Sequence, residues 1–334
     1  MIVVCLFAML NILKQNFRGT DVMRLELNSL FKTISRPDYS FFDAIKFDIS
    51  KRVLTRLHKK HISAGRKQMA VFSFDTIGLD IAYFGIYEKK ELDCFFAWLN
   101  FLADDFNNTA ALDIGANIGN HSLYFSDFFK QVFSFEPSPR TYGLLSFNAA
   151  LVSNIKTFNY GLSKATCSAE LGTESKNIGA SKIINSSNKN NDAMLKQTIA
   201  LKVLDDVNVT DLPIRLIKID VEGHEHEALS GAKKTIEKHQ PIILFEQLKQ
   251  EFNQGSTPTI TLLKSYGYDY FAIAEFGPKP SLYWPKFMRK FIQKVMVAFS
   301  GKHSSVRLVS TFEARAYPFV IAIPDWLALK LSLN

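Results

Sequence analysis

Between residues 109 and 246, short apolar runs alternate with longer segments whose apolar residues recur at helical spacing. "TAALDI" (109–114), "QVFSFE" (131–136), "IKTFNY" (155–160), "IRLIKID" (214–220) and "PIILFE" (241–246) have the length and content of buried strands. "NHSLYFSDFF" (120–129), "PRTYGLLSFNAALV" (139–152) and "HEALSGAKKTIEKH" (226–239) read as the helices between them. A helix over 257–267 and strands over 268–274 and 317–324 extend the pattern. Alternation of this kind predicts an α/β fold: a Rossmann-like, doubly wound and mostly parallel sheet with helices on both faces.

Sheets of that type bind ligands beyond the carboxyl ends of their strands. Four of the runs end in an acid there: Asp113, Glu136, Asp220 and Glu246. Buried carboxylates cost several kcal/mol each unless they are paired or used. Four at one edge of one sheet therefore predict a site.

The flanks are less regular. Residues 22–62 show helical spacing with a break at Pro37, which predicts a basic helical N-terminal extension over 1–65. "MAVFSF" (69–74) and "LDIAYFGIY" (79–87) read as short strands of a hairpin, and residues 90–106 as a helix. Residues 172–192 are rich in Ser, Asn, Lys and Gly, and read as a loop or lid. With 47% hydrophobic residues, the chain has ample material for a core over 66–330.

In "LDIGANIGNHS" (112–122) a strand meets a helix through a tight turn. Gly115 is expected to let the backbone pass close to a ligand, with Asn117 and Gly119 in the same turn. The helix start offers free N–H groups to an anion. A nicotinamide dinucleotide calls for G-x-G-x-x-G, and the second and third glycines of that spacing are absent. Asp113 stands before the first glycine instead, which suits a cationic ligand, and S-adenosylmethionine carries a sulfonium and an ammonium. Glu136, ending the next strand, can accept hydrogen bonds from both hydroxyls of a ribose.

"LDIGANIGNHSLYFS", "VFSFEPSP" and "LIKIDVEGHEHEALSGA" followed by "PIILFE" resemble the FkbM family of S-adenosylmethionine-dependent methyltransferases, over about residues 70–275. The resemblance implies a seven-stranded methyltransferase sheet whose last strand, "YPFVIAIP", runs antiparallel. It also implies transfer of a methyl group to a hydroxyl oxygen of a sugar or a polyketide-type product, hence a small-molecule or glycan acceptor. Residues 1–65 and 276–316 fall outside it.

Strand alternation puts Lys218 and Asp220 on one face. If the sheet follows this fold, the methyl sulfonium lies between Asp113 and Asp220, with Glu222, His224 and Glu246 around the acceptor. Asp220 and Glu222 are expected to orient donor or acceptor, and His224, whose intrinsic pKa suits the task, to take the hydroxyl proton. Lys218 would hold Asp220 ionised. Solvated helix-start roles remain the alternative for His224 and His226, as does helix-dipole placement for Glu225 and Glu227. Ser163 is a candidate adenine contact. The spacing of these residues does not establish a metal site, and none is expected.

The net charge of +8 is concentrated. Residues 1–66 hold twelve Lys/Arg against five Asp/Glu, and residues 281–311 hold six Lys/Arg and no acid. "WPKFMRKFIQKVMVAFS" (284–300) has the pattern of a basic amphipathic helix, inserted at about 276–316. Together with the apolar "MIVVCLFAMLNIL" (1–13), too short to span a bilayer and without signal-peptide flanks, this leaves two readings of a cytoplasmic protein: peripheral contact with an anionic membrane, or a basic helix packed on the core with a solvated basic face. Three widely spaced cysteines fit a reducing compartment. The rivals are an RNA ribose O-methyltransferase, for which no nucleic-acid-binding module is present, and a non-catalytic scaffold.

Overall fold

The computed structural model describes residues 40–101, 106–174, 177–183, 194–253, 255–276, 288, 292 and 304–332. The apolar N-terminal run, residues 22–39 and nearly all of the basic 284–300 segment lie outside them. The chain divides into two compact units, residues 1–56 and 57–334. The boundary falls inside helix α1 (Phe41–Ser63) rather than at residue 65. Among the described residues no helix is long and apolar enough to cross a membrane.

The second unit is built on one large sheet. In chain order its strands are β1 (Ala110–Ile114), β2 (Gln131–Phe135), β3 (Ile155–Phe158), β8 (Ile214–Ile219), β9 (Ile242–Gln247), β10 (Tyr270–Phe276), β11 (Ser304–Val309) and β12 (Tyr317–Ile323). Their spatial order is β11-β10-β12-β9-β8-β1-β2-β3. The run from β3 to β9 is parallel throughout. Strand β12 runs antiparallel between β9 and β10. The expected seven strands are therefore eight: β11 pairs antiparallel to β10 at the edge, from within the segment expected to be an amphipathic insertion.

The order reverses between β1 and β8, so the crevice at their carboxyl ends is where such a sheet presents ligands. Strand β1 is buried at every residue, as a central strand covered on both faces must be. One face packs Leu112, Ile114, Phe133, Ile217 and Phe245 under the helices after β8 and β9. The other packs Ala111, Val132, Leu216 and Leu244 under the Phe95, Phe96 and Leu99 side of α3 (Lys89–Phe101).

Three local expectations are overturned. Residues 69–87 form no hairpin: Thr76–Phe84 is a helix, α2, closed by Gly85 in the left-handed conformation. An almost wholly apolar run carries no periodicity with which to tell strand from helix. The 172–192 loop contains strands. With β4 (Gly161–Leu162), the strands β5 (Cys167–Glu174), β6 (Asn177–Ile183) and β7 (Met194–Lys202) form a second, four-stranded sheet. Finally, the 226–239 helix is two, α6 (Glu225–Ser230) and α7 (Lys233–His239). The second starts where the Asp205 carboxylate accepts the Lys234 and Thr235 N–H groups at 2.8 and 2.9 Å, which caps it afresh.

Candidate active site

A cavity of about 290 Å³ opens at the carboxyl ends of β1 and β8. Residues 114–118 of the turn after β1 line one side, and Asp220, Val221, Glu222 and His224 another. The second sheet adds an apolar wall of Leu171, Ile183 and Leu201.

The turn after β1 leads into α4 (Asn120–Phe125). Gly115 (φ 74°), Asn117 (φ 50°) and Gly119 (φ 88°) are left-handed. A Cβ on Gly115 would collide with the Asp220 carbonyl oxygen, so this glycine serves the β1–β8 contact, and it also lines the cavity. A Cβ on Gly119 would sit 2.9 Å from Leu145 Cδ1 of helix α5 (Pro139–Ala149), which ties that glycine to packing as well.

The expected gap between Asp113 and Asp220 is filled by a side chain of the protein. Lys218 is the β8 residue in register with Asp113. Its Nζ lies 3.5 Å from Asp113 Oδ1 and 3.6 Å from Asp220 Oδ2, and donates to the Gly115 carbonyl at 3.1 Å. Burial works to lower the lysine pKa, but the carboxylates of Asp220, Asp113 and Glu88 outweigh it and hold the ammonium above its ordinary range. Asp113 is fully buried, accepts from Ser122 Oγ at 2.5 Å and does not line the cavity. It anchors Lys218 from behind, and only Asp220 of the pair faces the space.

Glu136 follows β2 and is buried yet lines the cavity. Its two oxygens accept the Ser138 N–H at 2.9 Å and the Asn117 N–H at 3.1 Å. Burial pushes its pKa up to about 7 against these hydrogen bonds. Each oxygen keeps a lone pair for a further donor.

After β8 the chain turns through Glu222 (φ 54°) and Gly223 (φ 93°). Buried Glu225 holds this turn, its Oε1 accepting the Val221 and Gly223 N–H groups at 3.0 and 3.3 Å, so it does more than balance a helix dipole. The turn presents Asp220, Glu222 and His224 together. Burial and the Asp220 charge raise Glu222, against which Lys182 stands at 3.7 Å. His224 is held down by burial, so it is neutral above its lowered pKa. Its Nε2 pairs with Ser163 Oγ at 3.0 Å. Ser163 is buried and off the cavity lining, so it steadies His224 rather than reaching toward an adenine. Glu246, also off the lining, is raised to about 8 by burial and then by Asp220, Glu222, Glu225 and Glu88. No group of three or more His, Cys, Asp or Glu among the described residues is arranged to hold a metal ion.

Sequence reasoning missed the wall opposite. Asn120 grips the Tyr87 backbone, accepting its N–H at 3.0 Å and donating to its carbonyl at 3.1 Å. The next residue, Glu88, has φ 53°, and its Oε2 lies 3.2 Å from the Nε2 of buried His121. Tyr87, Asn120 and His121 all line the cavity. Positions 120 and 121 were visible only as a helix start, and nothing in the sequence joins them to residue 87.

Residues 113–270 match the family model of the methyltransferase FkbM domain. Methyltransferase sdnD of Sordaria araneosa is 29% identical over 197 residues, covering 49% of this chain and 74% of that protein. The hexuronic acid methyltransferase AglP of Haloferax volcanii is 32% identical over 126 residues, 37% of this chain and half of that protein. Among solved structures, a methyltransferase FkbM from Methylobacillus flagellatus KT aligns over 78% of this chain and 68% of its own, at 18% identity and a TM-score of 0.34. The matched residues run from β1 to the start of β10 and include the cavity at the switch point: the chain is a methyltransferase, and its residues 113–270 match the methyltransferase FkbM domain.

Proposed function

We propose that the protein is an S-adenosylmethionine-dependent O-methyltransferase acting on a hydroxyl of a sugar or a related natural product. The observation that carries this reading is Glu136: a buried carboxylate at the β2 end, fixed by two backbone N–H groups and still able to accept from two ribose hydroxyls. The apolar side chains of Ile118, Leu162 and Leu201 around the same cavity suit an adenine face, and the half-exposed Asp220 carboxylate suits a cation. These residues fit the cofactor's chemistry.

S-adenosylmethionine supplies an already activated methyl group, so the chain's task is alignment and proton removal. Asp220 is held in place by Lys218 and by the turn that Glu225 clasps. Glu222 hydrogen-bonds the acceptor and orients its hydroxyl. His224, neutral and steadied by Ser163, takes the hydroxyl proton as the oxygen attacks. The likeness to a relative named for a hexuronic acid supports a sugar acceptor.

Titration calorimetry with S-adenosylmethionine and S-adenosylhomocysteine tests the first step, and mass spectrometry of glycans with and without the protein tests the second. The expected results are saturable binding of both, and loss of one O-methyl group in the protein's absence. No binding at millimolar cofactor would favour the scaffold reading.

A further inference from the structure

The segment at the mouth of the cavity shows an apolar face to solvent. Thr76, in the first turn of α2, is exposed and also lines the cavity, so it marks where the cavity opens. Leu79 and Tyr83 follow it at three and seven residues, on the same side of that helix, and are 67% and 54% exposed. Phe84 is exposed as well, and Phe74, just before the helix, is wholly so. Phe74 also has φ 65°, a conformation that bulky residues avoid. Its backbone is held without help from its ring. Asn148 accepts the Ala70 N–H at 2.7 Å and donates to the Ala70 carbonyl at 2.9 Å. Gly78 packs so close to the Phe72 carbonyl that a Cβ would stand 2.7 Å from its oxygen. A ring shown to water by a strained backbone costs stability, and local strain of this kind persists where function uses it.

Exposed cations stand at both ends of this face. Arg140 lies 5.2 Å over the Phe72 ring. At the other end, the last turn of α1 is tied to α2 by His61, whose Nε2 lies 3.1 Å from the Tyr83 carbonyl oxygen, and the preceding Lys59 and Lys60 are exposed. The acids of the segment, Asp75 and Asp80, are partly buried, and Asp75 Oδ1 is fully so. Apolar side chains bordered by cations fit the boundary of an anionic bilayer, where rings and aliphatic chains enter the acyl edge while lysine and arginine meet the headgroups. The four apolar side chains fall short of the roughly 800 Å² per partner of a stable protein interface, whereas a bilayer holds a few inserted side chains backed by charge. We propose that the Phe74 loop and α2 form a membrane-docking face, which seats the protein on an anionic lipid surface with the cavity opening beside it.

The test is flotation of the full chain with vesicles of phosphatidylcholine alone and of an equal mixture of phosphatidylcholine and phosphatidylglycerol. Binding to the mixed vesicles and not to the neutral ones is expected, weakening as sodium chloride rises. Phe74→Ser/Leu79→Ser should weaken it on the order of tenfold or more. Lys59→Glu/Lys60→Glu should weaken it on the order of tenfold and reduce its dependence on salt. Thermal midpoints equal to the parent's show that both variants fold; if the first does not, Phe74→Ser alone, at a fully exposed side chain, decides. No binding to the mixed vesicles, equal binding to the neutral ones, or binding that survives both pairs of substitutions overturns the proposal. So does a dimer of the parent chain, seen by sedimentation velocity without lipid, that Phe74→Ser/Leu79→Ser dissociates: the face would then join two copies of the protein.

Discussion

Asp113 and Lys218 face each other in register on neighbouring parallel strands, carboxylate and ammonium 3.5 Å apart and both buried. Removing one partner of such a pair strands the other charge, at a cost of about 3–5 kcal/mol. Lys218→Met should therefore lower the thermal midpoint by many degrees, and Asp113→Asn/Lys218→Met should regain much of the loss. Equal midpoints for the two variants would mean that the pair is not coupled.

Glu136 anchors the proposed ribose contact. Losing charged hydrogen bonds of this kind costs about 1.5–3 kcal/mol, so Glu136→Gln should weaken S-adenosylhomocysteine roughly 10- to 100-fold by calorimetry. Asp113→Asn, behind the cavity wall, should act on stability more than on affinity. The reverse ranking would return Asp113 to the ligand.

Among the glutamates raised by burial, three move furthest: Glu136 and Glu225 to about 7, Glu246 to about 8. Their ordinary value is 4.5, so the folded protein holds these protons to higher pH than the unfolded chain does. Their contribution to stability is full below about 4.5 and is lost as pH rises through 7 to 8. Without ligand, the urea midpoint should fall between pH 6 and pH 8.5, and Glu246→Gln should flatten that slope. A midpoint that climbs over this interval would show these groups ionised.

His224 is held below its ordinary pKa by burial. Transfer should be flat through neutral pH and fall only on the acid side. His224→Asn should cut kcat by about 10²–10⁴ with little change in donor affinity, as expected for a lost general base. Ser163→Ala, which frees the imidazole, should shift the acid limb and cost less. An unchanged acid limb in His224→Asn would assign the proton to a carboxylate, with Asp220→Asn the next variant to assay.

Much of the frame was legible because the central strands declare themselves. Leu112, Ile114, Ile217 and Ile219 sit in short, mostly apolar runs, and acids mark the ends of β1, β2, β8 and β9. Hence the parallel core and its ligand-binding edge could be read before any coordinates. The second sheet could not: Ser, Lys and Asn crowd β5 to β7, and only chain pairing turns such polar text into strands. The site divided along the same line. Lys218, Asp220, Glu222 and His224 lie within seven residues and were bound to meet. What spacing could not reveal is that Lys218 would fill the space between the two aspartates, that Ser163 would turn to His224, or that Tyr87 and Glu88 would close the far wall through Asn120 and His121.

Among the described residues the small sheet shares no strand pairing with the large one, yet its side chains form a wall of the cavity. One wall of the cavity is thus built apart from the sheet that carries Asp220 and Glu136. On the reading proposed above, Leu201 faces the donor, so Leu171 and Ile183 are the side chains of that annex to vary first in search of altered acceptor choice.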